Sequence, residues 1–200
     1  MERKEYSAGA VKLSFWFIEF RKVVELLNEG KDINQIKSLA LNENLFAAPT
    51  TLRANQIYYT VTGRIKALDM SFIPLFVRSD LATQKLFALV AAMAYDTLFF
   101  DFVYEVIREK MILGTYELAD SDVRVFFKDK QQQNEKVAGW TDATLVRLGR
   151  CYKTMLYEAG VIDKAKTARK ILRPILDPEL VRWLEQNDMG VYVKALAGVR

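Results

Sequence analysis

Residues Trp140 to Ile162 read W-T-D-A-T-L-V-R-L-G-R-C-Y-K-T-M-L-Y-E-A-G-V-I, and the register of this stretch decides the fold. Thr141 is a residue type that caps helix N-termini, and Gly160 is one that ends them. At about 100° per residue, Leu145, Leu148, Gly149, Tyr152, Leu156 and Ala159 fall in one sector. One amphipathic helix with a core-facing stripe is therefore predicted. Arg147, Arg150, Thr154 and Tyr157 fall on the opposite side, with Lys153 at its edge.

The continuation, V-I-D-K-A-K-T-A-R-K-I-L-R-P-I-L-D-P-E-L, carries Lys164, Lys166, Arg169, Lys170 and Arg173 before Pro174. A short basic segment after a basic helix suits a small two-stranded wing, so a winged-helix-like segment is expected over about 120–176. Thr141 to Leu176 holds eight Lys or Arg against three Asp or Glu, a local excess of five, whereas the whole chain carries +4. Positive charge is thus concentrated where a recognition helix and wing would sit, and such a field attracts phosphate. The plainer account, in which these residues are solvated helix-face charges, stays open at this point.

Outward from this stretch the chain reads as helical. Pro and Gly are scarce, with 4 and 9 in 200 residues, and no long alternating pattern appears. Phe15, Ile18, Val23, Leu26 and Leu27 recur near helical spacing up to Gly30. Asp32 with Gln35 three residues on forms a capping-box pattern for a short helix to about Asn42. Thr50 or Thr51 caps a longer third helix, and together the three outline a helix-turn-helix-like unit.

In that third helix Ala54, Ile57, Tyr58, Val61, Ile65 and Leu68 are expected inside. Asn55, Gln56, Tyr59, Thr62, Gly63 and Lys66 are expected outward, with Arg53 and Arg64 on the flank. Such a face lacks acids, and its amides and cations can address base edges or phosphate. An ordinary helical bundle explains the same pattern. Residues 69–79, with Pro74 inside, read as a boundary, which gives domains over 1–78 and 79–200. The second opens with two buried helices joined near Asp96 and continues with a helix from about Ser121 to Gln133 capped by Asp120 or Ser121.

Several functions are disfavoured. Leu86 to Ile107 is the most membrane-like segment, but Asp96, Asp101 and Glu105 interrupt it, each costing roughly 2.5–3.5 kcal/mol at a helix centre in lipid. No membrane contact is expected. The charged N-terminus M-E-R-K-E-Y-S-A-G-A lacks a secretory pattern, and the single cysteine, Cys151, fits a reducing compartment, so the expected location is cytoplasmic. There is no histidine, no phosphate-loop motif and no dinucleotide motif. Asp101, Glu105 and Glu109 at i, i+4, i+8 can in principle hold Mg²⁺, and Asp120, Asp122 and Asp129 near Lys128 and Lys130 faintly suggest a nuclease. Ordinary helix pairing and capping account for both sets, so no metal, cofactor or catalysis is expected.

Separated motifs carry a resemblance. They are Y-S-A-G, S-F-W-F-I-E-F-R-K-V-V-E-L-L-N-E-G, E-N-L-F-A-A-P-T, S-D-L-A-T-Q-K-L, F-F-K-D-K-Q-Q-Q-N-E-K-V-A-G-W-T, D-P-E-L and A-L-A-G-V-R, in that order from Tyr6 to Arg200. Together they resemble the BrxA family of BREX bacteriophage-exclusion systems, small proteins similar to NusB-like antitermination factors. The resemblance implies a helical, non-enzymatic, nucleic-acid-binding defence component that acts beside other BREX proteins.

Residues and resemblance together give an expected function: a duplex DNA-binding protein that uses Arg53, Asn55, Gln56, Tyr59, Arg64 and Lys66 on one helix, Arg147, Arg150 and Lys153 on another, and Lys164, Lys166, Arg169, Lys170 and Arg173 on a wing. One alternative is an RNA-binding module in which Tyr59 or Tyr157 stacks on unpaired bases. Another is a scaffold. Phe15, Trp16, Phe17 and Phe20 cannot share one helical face, so another element of this chain, or a partner, must cover some of them.

Overall fold

The computed structural model describes residues 4–166 and 168–200; the start of the charged N-terminal segment and Thr167 of the wing sequence lie outside the described residues. Helices dominate, joined by one small antiparallel sheet, as the expected mainly α class with a small wing requires. By internal contacts the chain forms two compact units. One is Trp16–Tyr95, and the other joins the described residues up to Phe15 to Asp96–Arg200.

The Trp16–Tyr95 unit contains α1 (Phe17–Asn28), α2 (Ile33–Asn42), α3 (Thr51–Ile65), α4 (Phe72–Arg78) and α5 (Leu81–Tyr95). Helix α1 stops at Gly30, whose φ of 88° is costly for any residue with a Cβ. Asp32 caps α2 through the Asn34 and Gln35 amides, and the Gln35 side chain accepts from the Asp32 amide at 2.9 Å, completing the capping box. Thr50 caps α3. The α2–α3 connection, residues 43–50, is longer than the three or four residues of a tight helix-turn-helix.

All six residues expected inside α3 are buried. Tyr58 donates from its hydroxyl to the Ile33 carbonyl at 3.0 Å, which ties α3 to the start of α2. The four N-terminal aromatics are also buried within the chain, and only Phe17 and Phe20 lie in α1. Phe20 packs on Phe72 and Phe76, and Phe87 of α5 closes this aromatic core. Ile18, expected inside, is 59% exposed, while Val24 is fully buried.

Residues 69–79 are corrected from a boundary to α4, whose Phe72, Ile73, Leu75 and Phe76 are buried. Pro74 is tolerated there because first-turn amides have no partner within the helix to lose. Helix α5 packs on α1, α3 and α4. Gly63 allows the α3 contact with α5, since a Cβ at that position would lie 2.6 Å from the Tyr95 ring.

The second unit begins with a 3-10 turn over Ala8–Lys12 and resumes after Asp96. Asp96 caps α6 (Thr97–Phe102) by accepting from the Leu98 and Phe99 amides. A π-helical turn, Val103–Ile107, leads into α7 (Arg108–Ile112). No single helix among the described residues is long and apolar enough to cross a membrane. Strand β1 (Glu117–Ala119), α8 (Asp120–Gln133), the short α9 (Glu135–Ala138), α10 (Asp142–Glu158) and strand β2 (Ala168–Lys170) follow, and then α11 (Pro178–Gln186) and α12 (Gly190–Ala197).

The core of this unit is Phe99, Phe102, Phe126 and Phe127 gathered around the fully buried Tyr152. Helix α8 starts one residue before Ser121, and its cap differs from expectation: Asp122 reaches back to accept from the Ala119 amide at 2.7 Å. The wing also differs in one respect. Its two strands are β1 and β2, paired Leu118 with Arg169, so the partner strand lies far upstream of the basic segment.

Candidate nucleic-acid interface

Helix α10 is capped by Thr141, whose side chain accepts from the Thr144 amide, and it ends where Gly160 turns at φ 82°. Every residue expected on its core face is buried. Gly149 matters most among them, because a Cβ there would lie 2.6 Å from Val123 Cγ1 of α8. The two helices therefore run close, and their outer faces form one continuous surface.

On that surface Arg147, Arg150, Thr154 and Tyr157 are exposed. Lys153 is half-buried, its ammonium paired with Asp120 at the start of α8. Facing α10 across a shallow groove are Arg124 and Lys128 of α8, both exposed. Sequence reasoning missed these two cations. Their i, i+4 spacing opposite the buried Val123, Phe126 and Phe127 was the signal that could have found them.

Beside the helices lies the wing. Past the end of α10, Ile162 and Ile171 form an antiparallel bridge, and the Asp163 carboxylate accepts from the amides of Ala165 and Lys170, which closes the chain between them. Lys164, Lys166, Lys170 and Arg173 are exposed on this segment and Arg169 is half-buried in β2. The order β1, α8, α9, α10, β2 places Arg147, Arg150, Lys153 and the wing cations in one unit.

The α3 face belongs to the other unit and is less free than its wheel suggests. Arg53 donates to Gln56 Oε1 at 2.7 Å and lies over the Trp16 ring, 4.8 Å from its centroid. Asn55 and Gln56 are half-buried, Tyr59 is exposed with Lys37 of α2 above its ring, and Lys66 is exposed at the helix end. Three placements are corrected. Gly63 is half-buried and faces the Tyr95 ring of α5. Thr62 is buried, its hydroxyl donating to the Tyr58 carbonyl at 2.7 Å, and Arg64 is only 2% exposed, so its guanidinium is not presented outward.

The carboxylate sets have structural partners. Lys130 Nζ sits 3.2 Å from Asp101 and 2.6 Å from Glu105, Tyr6 donates to Asp101, and Glu109 pairs with Arg108. Asp122 pairs with Lys110 at 2.9 Å. Among the described residues no group of three His, Cys, Asp or Glu is placed to hold a metal ion.

With this geometry established, similarity to other proteins becomes informative. The profile of the BrxA family matches residues 4–188. A BREX protein BrxA from Bacillus cereus (strain H3081.97) is 38% identical over 182 residues, 91% of either chain. This chain belongs to the BrxA family. A second BREX protein BrxA, from Escherichia coli O9:H4 (strain HS), is 22% identical over 91% of this chain and 85% of its own. A crystal structure of an uncharacterized protein from Magnetospirillum magneticum superimposes with a TM-score of 0.81 at 20% identity, covering 98% of this chain and all of that one. That likeness shows a shared fold over 98% of this chain.

Proposed function

We propose that this BrxA-family chain is a non-enzymatic cytoplasmic component of a BREX phage-defence system that binds duplex DNA. Helix α10, with Arg147, Arg150 and Lys153, approaches a groove, and Lys164, Lys166, Arg169, Lys170 and Arg173 hold the flanking phosphates. Arg124 and Lys128 extend the same surface. The observation that carries this reading is segregation: cations of α8, α10 and the wing share one unit, while the acids of α6 and the π-helical turn are paired with Lys130. Residues of the α3 face, Asn55, Gln56, Tyr59 and Lys66, form a second contact surface, weaker because Gln56 is already engaged by Arg53.

A second reading, structured RNA, is favoured by the exposure of Tyr59 and Tyr157, at 53% and 40%, since exposed rings can stack on unpaired bases. The scaffold reading loses its motive, because the N-terminal aromatics that suggested it are covered within the chain.

The test is binding to a random-sequence duplex and to a structured RNA across a salt series, with Arg147, Arg150 and Lys153 replaced together by Ala. The substitutions should weaken duplex binding on every sequence and flatten the log–log salt slope by up to about three, near one for each phosphate that is no longer neutralised. An unchanged slope removes α10 from the interface, and tighter RNA than duplex binding transfers the function to the second reading.

A further inference from the structure

Asp120 sits where a cationic cluster converges. Its carboxylate accepts from Lys153 Nζ, and the charges of Arg124 and Arg169 act on it from α8 and β2. Asp120, Arg124, Arg150 and Lys153 surround a small depression of about 180 Å³ at the head of the α8–α10 groove, floored by Val123, Val146 and Gly149, with the Arg169 charge acting on Asp120 from β2. The Lys153 side chain is only 13% exposed, so its stem is laid into the groove and its ammonium is held in place before any ligand arrives.

Asp120 stands in the first turn of α8, where an acid suits the helix N-terminus, but it is not the capping residue. Helix α8 is capped by Asp122, not Asp120, and the Asp120 side chain is 57% exposed. A compact anion bonded to Lys153, acted on by the charges of Arg124 and Arg169 and sharing its depression with Arg150, has the hydrogen-bond acceptors of a phosphate oxygen pair.

We propose that Arg124, Arg150, Lys153 and Arg169 form a phosphate-binding subsite, and that Asp120 occupies it in the free protein as an internal stand-in for a backbone phosphate. The inference rests on the nucleic-acid reading of this face and adds its regulation. Without a ligand, Asp120 relieves the mutual repulsion of the four cations. A nucleic-acid phosphate displaces it, and the carboxylate turns into water. The lowered protonation range of Asp120, caused first by its hydrogen bond from Lys153, means that the anion is present at neutral pH. Isolated anions must then compete with a tethered carboxylate, whereas a polyanion that makes many contacts at once prevails.

The experiment compares wild type, Asp120→Asn and Arg147→Ala, all as the full chain, against a random-sequence duplex over a salt series and against inorganic pyrophosphate by calorimetry. Asp120→Asn keeps the size of the side chain and removes its charge. It is expected to bind the duplex about two- to fivefold more tightly, the scale of one exposed ion pair, and to steepen the salt slope by about one. Pyrophosphate should also bind more tightly. Lys153→Ala should weaken duplex binding more in the Asp120→Asn background than in wild type, because only there is Lys153 fully available.

If Arg147→Ala weakens duplex binding while Asp120→Asn leaves the affinities for duplex and pyrophosphate unchanged, the nucleic-acid reading stands and the stand-in is overturned. Weaker duplex binding by a folded Asp120→Asn also overturns it, by showing that Asp120 positions Lys153. If no duplex binds but pyrophosphate binds more tightly to Asp120→Asn, the subsite stands and the duplex reading falls.

Discussion

Replacing Lys130 by Met should destabilise the second unit severely. Lys130 is 4% exposed and lies within hydrogen-bonding distance of two carboxylates, 3.2 Å from Asp101 and 2.6 Å from Glu105, with the Phe126 ring 5.4 Å away. Methionine keeps the length and apolar stem, so packing changes little, but the ammonium is lost. The two acids then differ in what they can do. Glu105 is 46% exposed at its side chain and turns to water, whereas Asp101 is 3% exposed and cannot. Breaking a buried pair in this way costs about 3–5 kcal/mol, and the larger share falls on Asp101, which stays buried when the Lys130 charge is gone. Urea denaturation followed by circular dichroism measures the loss, and hydrogen exchange of the Asp120–Gln133 amides assigns it to this unit.

Two further readouts separate this cause from simple loss of packing. Changing Asp101 to Asn in the Lys130→Met background removes the stranded charge while leaving an acceptor for the Tyr6 hydroxyl, so the cost should fall to about 1–2 kcal/mol. The pH dependence also separates the two causes, because loss of packing alone does not titrate. In wild type, burial pulls the Lys130 pKa down, but hydrogen bonding to Glu105 and the nearby acid charges outweigh it, leaving it above its ordinary 10.5. The folded state therefore holds the proton more tightly than the unfolded one; the contribution is complete below the unfolded pKa and fades as pH rises through the folded one. In Lys130→Met that contribution is absent, so the gap between variant and wild type narrows as pH rises through the Lys130 range. A variant within about 1 kcal/mol of wild type at neutral pH, or no recovery in the double variant, refutes the reasoning.

Gly149→Ala should cost about 1 kcal/mol despite the higher helix propensity of Ala, because the added Cβ would lie 2.6 Å from Val123 Cγ1; thermal melts should show the loss, and Val123→Ala should reduce it. Asp32→Ala removes the side-chain half of the α2 capping box, leaving the backbone amide at position 32 to donate to Gln35, and should cost about 1 kcal/mol by urea denaturation of the full chain, with duplex affinity unchanged.

The parts of the fold that were legible in the sequence are those set by local chemistry. Helix α10 was readable because its cap, apolar stripe and stop agree, and α2 because Asp32 and Gln35 stand three apart. Helix α4 was misread because Pro74 signals a break in a helix interior but not in a first turn. The pairing of β1 with β2 was unreadable, since strands of three residues carry no alternation and Leu118 meets Arg169 only through the tertiary fold. Arg64 was misplaced because a helical wheel assigns direction, not depth, and a long side chain on the flank can fold inward. Lys130 gave a signal that went unused. It sits seven residues after Val123 in the stripe Val123, Phe126, Phe127, Lys130, and a Lys in a core position calls for acids, which Asp101 and Glu105 supply from α6 and the π-helical turn.

The buried cluster also bears on the surface. Several acids of this unit are held by partners away from the α10 face, while Asp142 and Glu158 lie exposed on α10 itself. Asp122 is held by Lys110 and the Ala119 amide, and Asp163 accepts from two wing amides. Asp101 and Glu105 are held by Lys130, whose own charge is directed inward and lost to the surface. Asp120 differs, since it is exposed and its partner is the α10 cation Lys153. Removing the Asp120 charge should therefore alter the field over the basic face, whereas removing that of Asp101 should alter stability and leave the salt slope of duplex binding as it is. Measuring both properties on the two variants separates the charges that build this BrxA fold from the charge that guards its surface.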